Sequence, residues 1–228
     1  MRPTPSDTET ILHILALEYP DPRPALHFDT PFQLLIATIL SAQCTDERVN
    51  QITGVLFADC PTPETIAALS FSQLADYIRS GGLWKNKTRS ILATSRQLLE
   101  QHGGLVPCDR EALMALPGVG RKTANVVLAN ACGVPAIAVD THVLRVSNRL
   151  GLAQSRSPDE TERQLMQRIP KRQWSEAHHW LIFHGRRFCQ ARKPRCLDCP
   201  LGALCPSFIS LKPDEKKSKK QDGNDNGN

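Results

Sequence analysis

Apolar residues recur at helical spacing along most of the chain. No stretch shows the alternation of apolar and polar residues, closed by hairpin turns, that strands require. The pattern predicts an all-α protein. Ile11, Leu12, Leu15 and Leu17 mark a first helix ending near Tyr19 and Pro20, and Pro22 and Pro24 make a short non-helical link. Thr30 and Pro31 supply a cap and a first helical residue ahead of Leu34, Leu35, Ile36, Ile39 and Leu40. Thr45 caps a further helix through Val49, Ile52, Val55 and Leu56. Shorter helices are expected over 63–69 and 72–79, the second ended by Gly81 and Gly82, then a longer one to Gln101. Asp109 caps a segment over 110–116. The pattern breaks at Pro117 and Gly118, resumes over 121–131 and closes at Gly133 and Pro135. Asp140, Asp159 and Gln173 are expected to open three more helices. There is no internal repeat. The polar tail over 212–228 has five lysines and no apolar residue after Pro213, which predicts disorder.

With 228 residues, 40% of them hydrophobic, the chain can bury a core without disulfide staples. Its longest apolar runs fall far short of a membrane span. Asp7, Glu9 and Glu18 stand where a secretory leader would carry a basic start and an apolar run, so a cytoplasmic, nucleoid-associated location is expected. A net charge of +5 and an isoelectric point near 8.8 suit a polyanionic partner without singling one out. Eight cysteines could form four disulfides, but Cys189, Cys196, Cys199 and Cys205 crowd together while Cys44, Cys60, Cys108 and Cys132 are scattered. That distribution favours a metal or cluster site over a disulfide framework. The crowded four are separated by six, two and five residues in a proline-rich segment, a spacing that suits tetrahedral zinc and a [4Fe–4S] cluster equally.

Leu116, Pro117, Gly118, Val119, Gly120, Arg121, Lys122, Thr123 and Ala124 join two amphipathic helices by a tight, glycine-dependent turn. Gly118 and Gly120 permit positive φ and close approach, so amides at the start of the second helix can reach a phosphate, with Arg121 and Lys122 adding charge. A plain helix–turn–helix connection would look the same as a bare glycine pair; the whole string is more specific. With Val139, Asp140, Thr141, His142 and Val143 downstream, it resembles the helix-hairpin-helix motif of the endonuclease III family, and the similarity runs from about Pro31 through Leu40, Ser41, Ala42 and Gln43 to Cys205.

The resemblance implies a helical domain over 24–134 and a cluster domain from 1–23 with 135–210, with the active site in the cleft between them and a lysine-bearing tail over 211–228. It implies a DNA glycosylase that also cleaves the abasic strand, acting on oxidised or ring-saturated pyrimidines and abasic sites in double-stranded DNA, as a monomer and without a membrane. Lys122 matches the family's nucleophile. A helix N-terminus, partial burial and a neighbouring Arg121 would each favour the neutral amine such a role needs. Asp140, eighteen residues on, matches the catalytic aspartate; taken alone it reads as a helix cap, and the two roles are compatible. His142 reads as a pocket or a structural residue.

By the same resemblance the four crowded cysteines hold a [4Fe–4S] cluster, which stiffens a loop presenting Arg192, Lys193 and Arg195 to phosphates. Gln43 and Leu83 match residues that enter the duplex beside an extruded nucleotide. Trp84 and Cys44 depart from the residues many relatives carry, which leaves substrate preference open. A related adenine-mismatch glycosylase would lack the lysine and carry an extra domain. A thymine-mismatch or pyrimidine-dimer glycosylase would differ only in its pocket. A non-catalytic helix-hairpin-helix module would need neither Lys122 nor Asp140.

Overall fold

A computed structural model describes residues 3–210, and the tail expected over 211–228 lies outside them. The described residues form α-helices and two short 3-10 turns with no strand. In order they are α1 (Pro5–Glu18), α2 (Pro31–Leu40), α3 (Asp46–Asp59), α4 (Pro63–Ala67), α5 (Phe71–Ile78), α6 (Trp84–His102), α7 (Arg110–Met114), α8 (Arg121–Ala131), α9 (Thr141–Arg149), α10 (Pro158–Arg168), α11 (Trp174–Arg187) and α12 (Pro206–Ile209). No helix among the described residues is long and apolar enough to cross a membrane.

Side-chain caps set most helix starts. Thr30, Thr45, Asp109 and Asp140 each accept a hydrogen bond from a backbone N–H in the following turn. The α10 start differs from expectation. Ser157, not Asp159, is its cap, because Pro158 has no N–H to lose at the first helical position and Asp159 gains the positive helix end from within the first turn. Gln173 makes no side-chain cap; a 3-10 turn over Lys171–Gln173 leads into α11 instead. The helix before the hairpin stops at Met114 rather than at 116, with Pro117 disfavouring helical backbone in the residue before it.

The buried side chains fall into two clusters. One joins α2, α3, α6 and α8 through Ile36, Leu40, Val49, Leu56, Ile91, Leu98, Val127 and Leu128. The other joins α1, α9, α10 and α11 through Ile11, Leu15, Val143, Val146, Leu165, Trp180 and Leu181. The change from one to the other falls between Ala136 and Ile137. Because α2 is apolar around nearly its whole circumference, it runs through the middle of the first cluster, so truncating Leu35 or Ile36 to Ala would cost roughly 2–5 kcal/mol. Helix α1 closes back onto α11, where Trp180 Nε1 donates to the Tyr19 carbonyl at 3.2 Å.

Candidate active site

Leu116 and Val119 are buried and anchor the hairpin between α7 and α8, and Thr94 Oγ1 donates to the Pro117 carbonyl at 2.8 Å. Gly118 has φ +79°, and a Cβ there would lie 2.7 Å from Ser90 Cβ, so both the backbone sign and the space demand glycine. Gly120 caps α8 with no side chain, leaving the first-turn amides free to meet an anion.

Lys122 is the second residue of α8 and is exposed, not partly buried as expected. It lines one pocket together with Asp140, Ser41, Asp46, His178 and Arg186. Asp140 caps α9 with Oδ1, which accepts from the Val143 amide at 2.7 Å, and its Oδ2 accepts no hydrogen bond from the described residues. The extended stretch that delivers Asp140 is clamped from both sides. Asn125 Nδ2 donates to the Ile137 carbonyl at 2.9 Å, and His178 Nδ1 donates to the Ala138 carbonyl at 2.8 Å. Burial, helped by the charge of Lys122, pushes His178 down to about 4, so the pocket floor is an uncharged imidazole at neutral pH. His179 beside it is pushed down to about 3 by burial and by His178, and its Nε2 meets Asn130 Oδ1 at 2.8 Å. Sequence reading missed this pair; two consecutive histidines in the apolar pattern of α11 were the available signal.

His142 faces away from a simple pocket role. Its Nδ1 lies 3.1 Å from Arg145 Nη2, and a Cβ on Gly185 would come within 3.0 Å of it. Arg121, expected to add positive charge beside the phosphate site, is paired with a carboxylate. Its Nε and Nη2 donate to Glu162 at 2.7 and 3.1 Å, because Glu162 is buried and has exchanged its hydration for this fork.

Gln43 and Leu83 are the two non-glycine residues of the described chain with positive φ, at 53° and 58°. Both are exposed, and their loops touch: a Cβ on Gly82 would lie 3.0 Å from the Gln43 carbonyl oxygen. Two devices, one of them buried, hold these loops. Lys87, whose ammonium is disfavoured by burial, donates from Nζ to the Leu40 carbonyl at 2.7 Å and so finishes α2 just before Gln43. Trp84 is wedged between Phe71, Arg79 and Lys85 and fixes the start of α6 behind Leu83.

Cys189, Cys196, Cys199 and Cys205 line a single cavity with His184 and Phe188. Four thiols facing one cavity are a donor set that tetrahedral zinc and a [4Fe–4S] cluster both use, and no group of three or more metal-ligating side chains among the described residues is arranged to hold a single ion. Burial pushes the Cys199 thiol up to about 11 and raises that of Cys205, so thiolates there call for a cationic partner. Arg149 Nη1 and His184 Nε2 lie 3.4 Å from the sulfurs of Cys189 and Cys199. Two residues that sequence reading overlooked fasten this loop. Arg145 donates to the carbonyls of Cys189 and Gly185, and Arg149 to those of Gln190 and Ala191. Arg192, Lys193 and Arg195 are exposed, with Arg195 paired to Asp198 at 3.0 Å.

Cys108 and Cys132 form a disulfide, which sequence reading did not pair. It joins the loop before α7 to the end of α8 and thereby encloses the whole hairpin motif.

Fold and site together define a helix-hairpin-helix protein of the base-excision class, and the model of the HhH-GPD superfamily of base excision DNA repair proteins matches residues 36–171. Endonuclease III of Bacillus subtilis is 50% identical over 188 residues, covering 82% of this chain and 86% of the relative. That of Escherichia coli K12 is 49% identical over 195 residues, covering 86% and 92%. A solved structure of a trapped endonuclease III–DNA covalent intermediate superposes with a TM-score of 0.87 at 48% identity, covering 91% of this chain and 98% of that one. A thermostable thymine-DNA glycosylase, at 24% identity and a TM-score of 0.82, shares the fold. The chain belongs to the endonuclease III family.

Proposed function

We propose that the chain is a base-excision DNA glycosylase and AP lyase in which Lys122 is the nucleophile and Asp140 its charge-stabilising partner. The observation that carries this reading is the meeting of the two side chains in one pocket, beside a hairpin whose first-turn amides are free. The Lys122 amine attacks C1′ of an extruded nucleotide as the glycosidic bond breaks and the base leaves with the bonding pair. Asp140, through the oxygen not used as a cap, stabilises positive charge developing on the sugar and relays the proton released by the attacking amine. Ring opening at O4′ then gives a Schiff base between Nζ and C1′. It acidifies the C2′ proton, whose removal expels the 3′ phosphate and cleaves the strand.

The substrates favoured by the resemblance are oxidised or ring-saturated pyrimidines and abasic sites in double-stranded DNA, processed by a monomer. Gln43 and Leu83 fill the space left by the extruded nucleotide. The backbone at Gly118 and Gly120, with Arg192, Lys193 and Arg195, takes phosphates, and Arg121 orders the hairpin. Cys189, Cys196, Cys199 and Cys205 would hold a [4Fe–4S] cluster, whose contribution is to stiffen the loop bearing the basic residues. The two buried clusters support a division into 24–134 and 1–23 with 135–210.

Borohydride trapping on duplexes with thymine glycol, an abasic site or no lesion tests the reading. Lesion-dependent adducts from the wild type, lost in Lys122→Ala while duplex binding is kept, are expected; adducts undiminished in that variant would sink the nucleophile assignment.

A further inference from the structure

The side chain of Glu162 is 3% exposed and accepts the fork of Arg121, while Arg110 Nη2 lies 3.6 Å from its Oε1. Asp159 Oδ1 is 3.8 Å from Arg121 Nε but is open to water. Both arginines are the first residues of helices, Arg110 of α7 and Arg121 of α8, where the helix dipole disfavours a cation. Glu162 thus offsets positive charge at two helix starts that converge beside the hairpin.

Its own helix belongs to the other half of the molecule. Leu165 within α10 and Ile169 at its end pack in the cluster with α1, α9 and α11, whereas Leu113 of α7 and Ala124 and Val127 of α8 pack in the first. The buried carboxylate therefore bridges the half that carries Lys122 to the half that carries Asp140. Arg121 and Lys122 are neighbours in one turn, about 100° apart around the axis, so a fork that pins Arg121 toward α10 fixes the direction in which Lys122 leaves the helix. Nearby, Thr161 Oγ1 and Arg110 Nε are buried with no hydrogen-bond partner among the described residues.

We propose that Glu162 is a positioning residue for the lysine chemistry: acting through Arg121, it sets the first turn of α8, and with it Lys122, relative to Asp140 across the cleft. This rests on the assignment of Lys122 as nucleophile.

The test is single-turnover borohydride trapping on an abasic duplex with wild type, Glu162→Gln, Arg121→Lys, Arg121→Met and the double variant Arg121→Met with Glu162→Gln. It is paired with binding to a duplex bearing a tetrahydrofuran abasic analogue. The expected result in Glu162→Gln is a trapping rate constant lower by about 10- to 100-fold, the scale of a misplacement near 1 Å, with affinity for the analogue kept within about threefold. Arg121→Lys, which keeps the charge and loses the fork, should fall in the same direction and remains readable if Glu162→Gln does not fold. Adding Glu162→Gln to Arg121→Met should cost nothing further. A wild-type rate constant in Glu162→Gln or in Arg121→Lys overturns the proposal. So does a loss confined to the amplitude, which would report only less folded protein, or a full additional loss in the double variant. If the wild type itself forms no adduct, the failure belongs to the nucleophile assignment instead.

Discussion

Reducing the Cys108–Cys132 disulfide should loosen the hairpin half of the molecule by an amount the chain length sets. The bond spans 24 positions and holds α7, the hairpin and α8 within one closed loop. In the chain-entropy treatment a loop of that length restricts the unfolded ensemble by about 3.5 kcal/mol. For a chain of this size each kcal/mol is worth roughly 2–4 °C, so the oxidised protein should melt about 7–14 °C above the reduced one as an upper bound. Thermal melts with and without a thiol reductant measure the difference, with a Cys108→Ser/Cys132→Ser variant as the control that must not respond. Cys108 is exposed, so reductant has access to the bond without prior unfolding. Equal melting temperatures for the oxidised and reduced wild type, with free-thiol counts proving the change of state, would refute the reasoning.

Leu83 carries a left-handed backbone at the start of α6 while its side chain is 53% exposed. Leu83→Gly should therefore raise stability by roughly 0.5–1 kcal/mol yet slow lesion-dependent trapping, and a variant that is both less stable and fully active would contradict the wedge assignment. Acid should also weaken the fold. His178 and His179 have folded-state values lowered to about 4 and about 3 from an ordinary 6.5, so the unfolded chain binds the extra protons. Stability is then complete above about pH 6.5 and falls as pH drops toward those folded values, with a slope approaching about 2.7 kcal/mol per unit if both take up a proton. Denaturant midpoints that stay level between pH 7 and 5 would rule this out.

Helix starts were legible in the sequence because their causes are local. Threonine or aspartate ahead of a periodic run, sometimes with proline first, places Thr30, Thr45, Asp109 and Asp140 where the structure has them. The misreading at α10 is local too: Ser157 and Asp159 are both good caps, and the deciding residue was Pro158 between them. The remaining misses depend on distance in the chain. Nothing near Arg121 announces that its partner is Glu162, forty-one positions on, and nothing near Lys87 points to the carbonyl of Leu40. The left-handed backbones of Gln43 and Leu83 were invisible for a different reason, since neither residue is glycine or asparagine and tertiary packing alone holds them there. Of the candidate site, Lys122 and Asp140 came from motif, while the histidine floor and the arginine braces of the cysteine loop needed coordinates.

Tyr19 and Trp180 are joined by a hydrogen bond across 161 positions, and this has a consequence for how the chain emerges from a ribosome. Helix α1 is synthesised before the other described helices, yet the surface that covers Ile11, Leu12 and Leu15 is completed only by α9 and α11. The segments of the first buried cluster, from Phe32 to Ala136, are contiguous and can collapse while synthesis continues. Until α11 is made the apolar stripe of α1 is only partly covered, so nascent chains halted between Ala136 and Trp174 should be the species that chaperones bind and proteases cut.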